Sequence, residues 1–294
     1  MAAVDLASRA HAEALDADDE LAGFRDRFVI PDQSLVYLDG NSLGRLPWTT
    51  VERIEDVVRH QWGEGLIRSW DEGWIDLPSR LGDRIGTGLL GARPGEVIVA
   101  DSTTTNFYKL CVAAVDARPG RSAIVTDRDN FPTDRYVLEG IAESRGLTIR
   151  WLDAGDDGPQ PDDVAGALDD DVALVTLCHV GYRTAAILDV DAITALAHDA
   201  GALMLWDLCH AAGSVPVDLS RTGADLAVGC TYKYLNAGPG APAFLYVREE
   251  LQPSLRQPIW GWWGRREMFE MAAGYDPEPG IRAFLGGTPP VLSM

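Results

Sequence analysis

Asp207 and Lys233 each follow a short apolar run, 202–206 and 225–230, that reads as a β-strand. A carboxylate and an amine delivered from strand ends into one pocket suit a pyridine-ring cofactor. The amine forms an imine with the cofactor aldehyde, and the carboxylate pairs with the protonated ring nitrogen. That pairing keeps the ring cationic and electron-accepting. A lone Asp or Lys at a strand end is more often a surface or capping residue, so the pair needs supporting groups. Asp101-Ser102-Thr103-Thr104-Thr105-Asn106 joins a strand to a helix. Free amides and hydroxyls there make an anion site, although plain N-capping explains them equally well. Phe131-Pro132-Thr133-Asp134 follows the next strand. Its aromatic ring suits stacking on a pyridine and Asp134 suits the polar network around it; a proline-led helix start with a capping residue is the alternative. His210, just beyond Asp207, is placed to hydrogen-bond the cofactor or the carboxylate, or to serve as a structural histidine.

Such groups need a scaffold that brings strand ends together. Apolar runs at 96–100, 122–126, 172–177, 202–206 and 225–230 alternate with helical stretches at 104–116, 133–145 and 191–200, and 241–247 reads as one more strand. The pattern predicts an α/β fold with three layers and a mostly parallel sheet covered on both faces. Ligands of such sheets sit at the carboxyl ends of the strands, where Thr103, Phe131, His179, Asp207 and Lys233 fall. Upstream, the first 30 residues look helical and end at Pro31. Residues 34–38 look extended, and amphipathic helices over 49–62 and 77–91 flank a connector containing Trp62, Trp70 and Trp74. Gly86-Thr87-Gly88-Leu89-Leu90-Gly91 matches the dinucleotide fingerprint, but a helix precedes it and a turn follows, the reverse of what that motif needs. There is no phosphate-binding P-loop, and no Cys/His spacing of a metal site.

The balance of 25 basic against 45 acidic residues, a formal charge of -20, repels phosphate backbones and anionic lipid. It argues against nucleic-acid and membrane-surface partners. Cys111, Cys178, Cys209 and Cys230 form no CxxC pair and read as buried, reduced thiols. No signal-peptide pattern and no long apolar stretch are present, so a cytoplasmic location is expected.

Several segments together resemble kynureninase, a fold-type I pyridoxal-phosphate (PLP) family related to the class V aminotransferases. They are Tyr37-Leu38-Asp39-Gly40-Asn41-Ser42-Leu43-Gly44, the 131–134 segment, Trp206-Asp207-Leu208-Cys209-His210-Ala211-Ala212-Gly213, Thr231-Tyr232-Lys233-Tyr234-Leu235-Asn236-Ala237-Gly238-Pro239-Gly240 and Gly261-Trp262-Trp263-Gly264. The resemblance implies a seven-stranded PLP-binding large domain over 71–294, preceded by an N-terminal helical segment and substrate-side loops over 1–70. It makes Lys233 the Schiff-base lysine and proton carrier, with Asp207 on the ring nitrogen and Asp134 and His210 nearby. Phe131 would stack on the ring, with Thr103, Thr104 and Tyr232 at the phosphate end and Cys178 among the cofactor contacts. Trp262 and Thr288 would reach the phosphate of a neighbouring subunit in a homodimer, and Ser42 and Trp70 would line the pocket for a small amino-acid substrate. The implied reaction is hydrolysis of L-kynurenine or its 3-hydroxy form to an anthranilate and L-alanine. Where the family pattern resembles Ser-His-Val-Asn-Tyr-Arg-Thr-Gly, this chain has Cys178-His179-Val180-Gly181-Tyr182-Arg183-Thr184-Ala185. The C-terminal small domain, with the arginine expected to hold the substrate carboxylate, is expected to be largely absent. Other class V activities (a cysteine desulfurase or an aminotransferase) and a non-catalytic fragment are the competing readings. Desulfurases usually carry His, rather than Tyr232, before the lysine.

Overall fold

Adjacent residues along the strands point into two different buried layers, and this alternation defines the architecture. A computed structural model describes residues 6–294. Its strands are β1 (Val97–Ala100), β2 (Ala123–Asp127), β3 (Thr148–Leu152), β4 (Val172–Cys178), β5 (Leu203–Asp207), β6 (Leu226–Gly229) and β7 (Ala243–Val247). They form one seven-stranded sheet in the order β1-β7-β6-β5-β4-β2-β3. The strands from β2 to β6 run parallel where they pair, whereas β7 is antiparallel to both β1 and β6.

One face buries Val99, Val125, Val175, Met204, Trp206 and Phe244 against Ile193 and Ala197 of helix α7 (Val190–Asp199). The other buries Ile98, Ile124, Leu174, Leu205, Val228 and Leu245. That second layer packs on Phe107 and Leu110 of α4 (Thr103–Asp116) and Leu138 of α5 (Pro132–Arg145). Each fully buried side chain of this size contributes about 1.5–3 kcal/mol, so covering both faces is what makes the sheet stable. Two shorter helices, α6 (Pro161–Ala167) and α8 (Leu219–Thr222), complete the covering.

The strand at 148–152 is absent from the apolar runs in the sequence. It is an edge strand whose residues, apart from Leu152, are only partly buried or exposed, so no continuous apolar run marks it. The N-terminal expectation is corrected too. Instead of one long helix, α1 (Arg9–Ala17) is followed by a 3-10 turn at Ala22–Arg27, and neither buries a residue. Residues 34–38 join no strand. Helix α2 (Trp48–Asp56) runs on into π-helical turns at Val57–Gly65 and Trp70–Trp74 before α3 (Leu77–Leu89).

Within the 86–91 motif, Gly86 serves packing and Gly91 a left-handed turn (φ 60°), while a Cβ on Gly88 would meet nothing within 4 Å. Gly86 lies inside α3, where a Cβ would come within 2.9 Å of Val97 Cγ2, and one turn earlier a Cβ on Gly82 would meet Val97 O at 2.2 Å. The small residues therefore let α3 lie directly on β1.

Asp225, immediately before β6, ties three elements together. Its fully buried carboxylate accepts from Met204 N of β5 at 2.9 Å and meets His198 Nε2 of α7 at 2.8 Å. It is also ion-paired with Arg248 Nη2, just past β7, at 2.8 Å. Removing one member of a buried ionic knot leaves the others uncompensated. Asp225→Ala is expected to cost about 3–5 kcal/mol, read as a lower urea midpoint with an unchanged slope. A loss of less than about 1 kcal/mol would place it among ordinary surface pairs.

Candidate active site

The carboxyl ends of β1, β5 and β6 and the start of α5 converge on one cavity of about 190 Å³. It is lined by Ser102, Thr103, Thr104, Phe131, Thr133, Asp134, Asp207, Cys209, His210, Tyr232 and Lys233. Lys233 follows β6 and is only 7% exposed. Its Nζ lies 2.9 Å from His210 Nε2, and 5.6 and 5.8 Å from the ring centres of Phe131 and Tyr232. Burial and the Lys233 charge lower the His210 pKa, so a neutral imidazole accepts from the amine. Burial pushes the Tyr232 phenol up to about 12, so it keeps its proton at neutral pH and can donate it.

Asp207 ends β5 and is 4% exposed, and its Oδ1 accepts from Cys209 N at 2.7 Å. Asp134, in the first turn of α5, faces it. Oxygens of the two carboxylates and Cys178 Sγ all lie within 4.8 Å of one another. Burial first, then the neighbouring Asp207 charge, hold the Asp134 carboxyl well above the ordinary carboxylate range.

Thr103, Thr104, Phe131, Asp134, Asp207, His210, Tyr232 and Lys233, all singled out in the sequence, thus meet in one place. Cys178 stands behind the wall. Its thiol donates to Asn130 Oδ1 at 2.9 Å and lies 3.6 Å from Asp207 Oδ2. Ser102, Thr133 and Cys209 also line the cavity. Each sits within or beside a segment quoted above, and only the direction of the side chain, which the sequence does not display, distinguishes it.

Besides Cys178, four expected residues do not line this cavity. Trp70 packs on Trp74 and Trp263, at 5.2 and 5.1 Å between ring centres. It shares a separate apolar cavity of about 400 Å³ with Thr288, Trp62 and Trp74. Trp262 lies edge-on to Trp263 and Phe269. Ser42 is exposed in the loop before Gly44. That loop does reach the lysine: Gly44 N donates to Tyr232 O at 2.9 Å, and a Cβ on Gly44 would strike Lys233 O at 2.2 Å. A second cavity, lined by Tyr37, Asn41, Arg45 and Asn236 among others, opens onto Lys233 from this side. In the divergent segment, Ala185 adopts φ 59°. This is the left-handed region that glycine enters freely and that costs an L-residue roughly 1–2 kcal/mol.

The fit of this site to PLP can be tested on its own atoms. Asp134 Oδ2 is buried without a hydrogen-bond partner, and neither Asp134 nor Asp207 forms a salt bridge among the described residues. Two adjacent buried carboxyl groups lacking a contacting cation suit a protonated pyridine nitrogen. The amine, the carboxylate pair, the flanking Phe131 ring and the hydroxyl-lined helix start at Ser102 therefore fit the cofactor. Fold and cavity together define the class of enzymes that hold a pyridine cofactor on a lysine at the end of a sheet strand.

Comparison with known proteins agrees. The family model "Aminotransferase class-V" matches residues 86–294. A kynureninase of Pseudomonas fluorescens is 48% identical over 96% of this chain and 67% of its own length. A kynureninase of Burkholderia pseudomallei (strain K96243) is 48% identical over 98% of this chain and 69% of its own length. Among solved structures, the cysteine desulfurase of Thermococcus onnurineus NA1 superposes with a TM-score of 0.74 at 20% identity, covering 96% of this chain and 67% of that one. A C-DES mutant with glycine covalently linked to its PLP cofactor gives 0.76 at 19%, covering 90% and 71%. At such identities these structures show the fold alone. The chain belongs to the aminotransferase class-V family, and within it to the kynureninases.

The buried carboxyls give the protein a pH dependence. Asp127, at the end of β2 and 5% exposed, is pushed up to about 6 by burial. Its folded value lies above the unfolded one, so its contribution to stability is complete below about pH 4 and is lost as pH rises through about 6. Without cofactor, wild type is expected to lose on the order of 3 kcal/mol relative to Asp127→Asn between about pH 4 and pH 7, measured by urea unfolding at each pH. Parallel curves for the two proteins would contradict the assignment.

Proposed function

We propose that the protein hydrolyses L-kynurenine, or 3-hydroxykynurenine, to anthranilate or 3-hydroxyanthranilate and L-alanine with PLP as cofactor, a step of tryptophan degradation and NAD biosynthesis. The reading rests on one observation above others: Lys233 and Asp207, from neighbouring strands of a kynureninase-like chain, line a single small cavity. Bound there, PLP supplies an electron sink conjugated to the substrate Cα. Lys233 would hold the cofactor through its aldehyde and carry the Cα proton, Asp207, with Asp134 beside it, would keep the ring nitrogen protonated, and Phe131 would flank the ring. Neutral His210 fixes the lysine amine, and Thr103, Thr104 and Tyr232 serve the phosphate end. Water adds to the γ-carbonyl as a general base takes its proton, the Cβ–Cγ bond breaks to release anthranilate, and the electron pair left on Cβ would be taken up by that electron sink until Cβ is protonated. Tyr232, still protonated at neutral pH, relays a proton in the later steps. Cys178 acts through Asp207, against which its thiol packs.

Residues 71–294 act as the cofactor domain and 1–70 as the substrate-side segment. Trp262 and Thr288 lie away from this chain's own cavity, which supports a homodimer in which they serve the partner's site; Ser42 and Trp70 then take substrate in the assembled dimer. A cytoplasmic enzyme accords with the reduced state of all four cysteines. No helix among the described residues is long and apolar enough to cross a membrane.

The test is product formation. Purified protein with PLP is expected to release alanine and anthranilate from kynurenine and no sulfide from cysteine. Lys233→Ala should lower turnover by about 10³-fold or more, and Tyr232→Phe should slow turnover while leaving the imine absorbance intact. Sulfide release from cysteine without kynurenine turnover would favour the desulfurase reading.

A further inference from the structure

Although the chain has 25 basic residues, only two are lysines, Lys109 and Lys233. Both are buried. Lys109 lies on α4, the helix whose first residues line the Lys233 cavity, yet it does not itself line that cavity. It has no exposed surface, and its Nζ donates to Asp101 Oδ2 at 2.5 Å and to Phe284 O at 2.8 Å. A fully buried ammonium needs such partners to offset its lost hydration, and charge-assisted bonds of this kind are strong and directional.

Each partner holds a particular piece of backbone. Asp101 is the first residue beyond β1 and adopts φ 45°, a left-handed conformation uncommon outside glycine and more accessible to Asp and Asn than to other residues. Its carbonyl accepts from Ala243 N of β7 at 2.8 Å, so the sheet grips its backbone while Lys109 grips its side chain. The turn at Asp101 delivers Ser102 as the N-cap of α4, accepting from Thr105 N at 3.2 Å, and leaves Ser102, Thr103 and Thr104 on the cavity wall. Phe284 ends the 3-10 segment Gly280–Phe284, and two residues later Gly286 O accepts from Trp263 N at 3.1 Å. Lys109 therefore fastens the 101–104 turn to the segment that also supports the tryptophan loop.

We propose that Lys109 is a positioning residue for the cofactor phosphate. By clamping Asp101 against the 280–284 segment it holds the left-handed turn that aims Ser102, Thr103 and Thr104 into the cavity. The proposal rests on the PLP reading above and assigns Lys109 to one end of that ligand only. Lys233, Asp207 and Phe131 hold the ring and do not depend on the clamp, so losing Lys109 weakens recognition of the phosphate and spares recognition of the ring.

Binding of PLP and of pyridoxal, which lacks the phosphate, separates these effects in the full chain. Dissociation constants come from imine absorbance, with thermal unfolding of the cofactor-free protein measured in parallel. Lys109→Met, which keeps the length of the side chain, is expected to raise the PLP dissociation constant about tenfold while pyridoxal stays within about twofold of wild type. Asp101→Asn, still tolerant of the left-handed turn, should act in the same direction, and it decides the question if Lys109→Met does not fold. Equal weakening of PLP and pyridoxal, or no weakening of either, would overturn the role of Lys109. A wild-type protein that binds neither would overturn the cofactor reading and this role with it.

Discussion

The site depends on the cost of burying charge. An amine at Lys233 and carboxyl groups at Asp207 and Asp134 are withdrawn from water around one cavity of about 190 Å³. Taking ionic groups out of water costs several kcal/mol each unless partners compensate. The protein supplies part of that compensation: His210 for the amine, and Cys209 N for Asp207. It leaves Asp134 Oδ2 without a partner. A cationic ring bound between lysine and carboxylates would supply the missing partner, and on the proposed reading cofactor affinity would draw on that unpaired carboxyl.

The sheet makes that arrangement possible. Parallel β5 and β6 end side by side, with Asp207 paired to Val228 in the register of the two strands, so the residues just beyond them share one edge. The β1–α4 turn and the start of α5 close the same edge from either side. The packing layers carry most of the stability, while knots such as Asp225 with His198 and Arg248 fix how neighbouring strands sit. Precision at the strand ends is inherited from these buried contacts.

Much of this was legible in the sequence. Uninterrupted apolar runs marked most strands, and the polar residues just beyond them marked the cavity, because a buried parallel sheet has few other ways to place function. The edge strand at 148–152 was not legible, since an edge needs less apolar surface and its Arg150 interrupts the pattern. Ser102, Thr133 and Cys209 lie in the candidate segments, but type and spacing alone do not reveal which of a segment's side chains turn into the cavity. The destinations of Trp70 and Thr288 were also hidden: contacts between residues so distant in sequence depend on tertiary packing. The role of the motif glycines near residue 86 was half legible. The order of elements ruled out a dinucleotide, but the close approach of α3 to Val97 arises only from tertiary packing.

The central claim, that Lys233 and Asp207 grip opposite sides of one pyridine ring, is tested most directly by trapping and locating the cofactor. Protein incubated with PLP and reduced with borohydride can be digested and the pyridoxyl group mapped by mass spectrometry, for wild type and for Asp207→Ala. The label is predicted on Lys233 in the wild type, with much weaker cofactor retention and a changed absorbance maximum in the Asp207 variant. Label on Lys109 or on the chain's amino terminus, or an Asp207 variant with the retention and spectrum of wild type, would contradict the account.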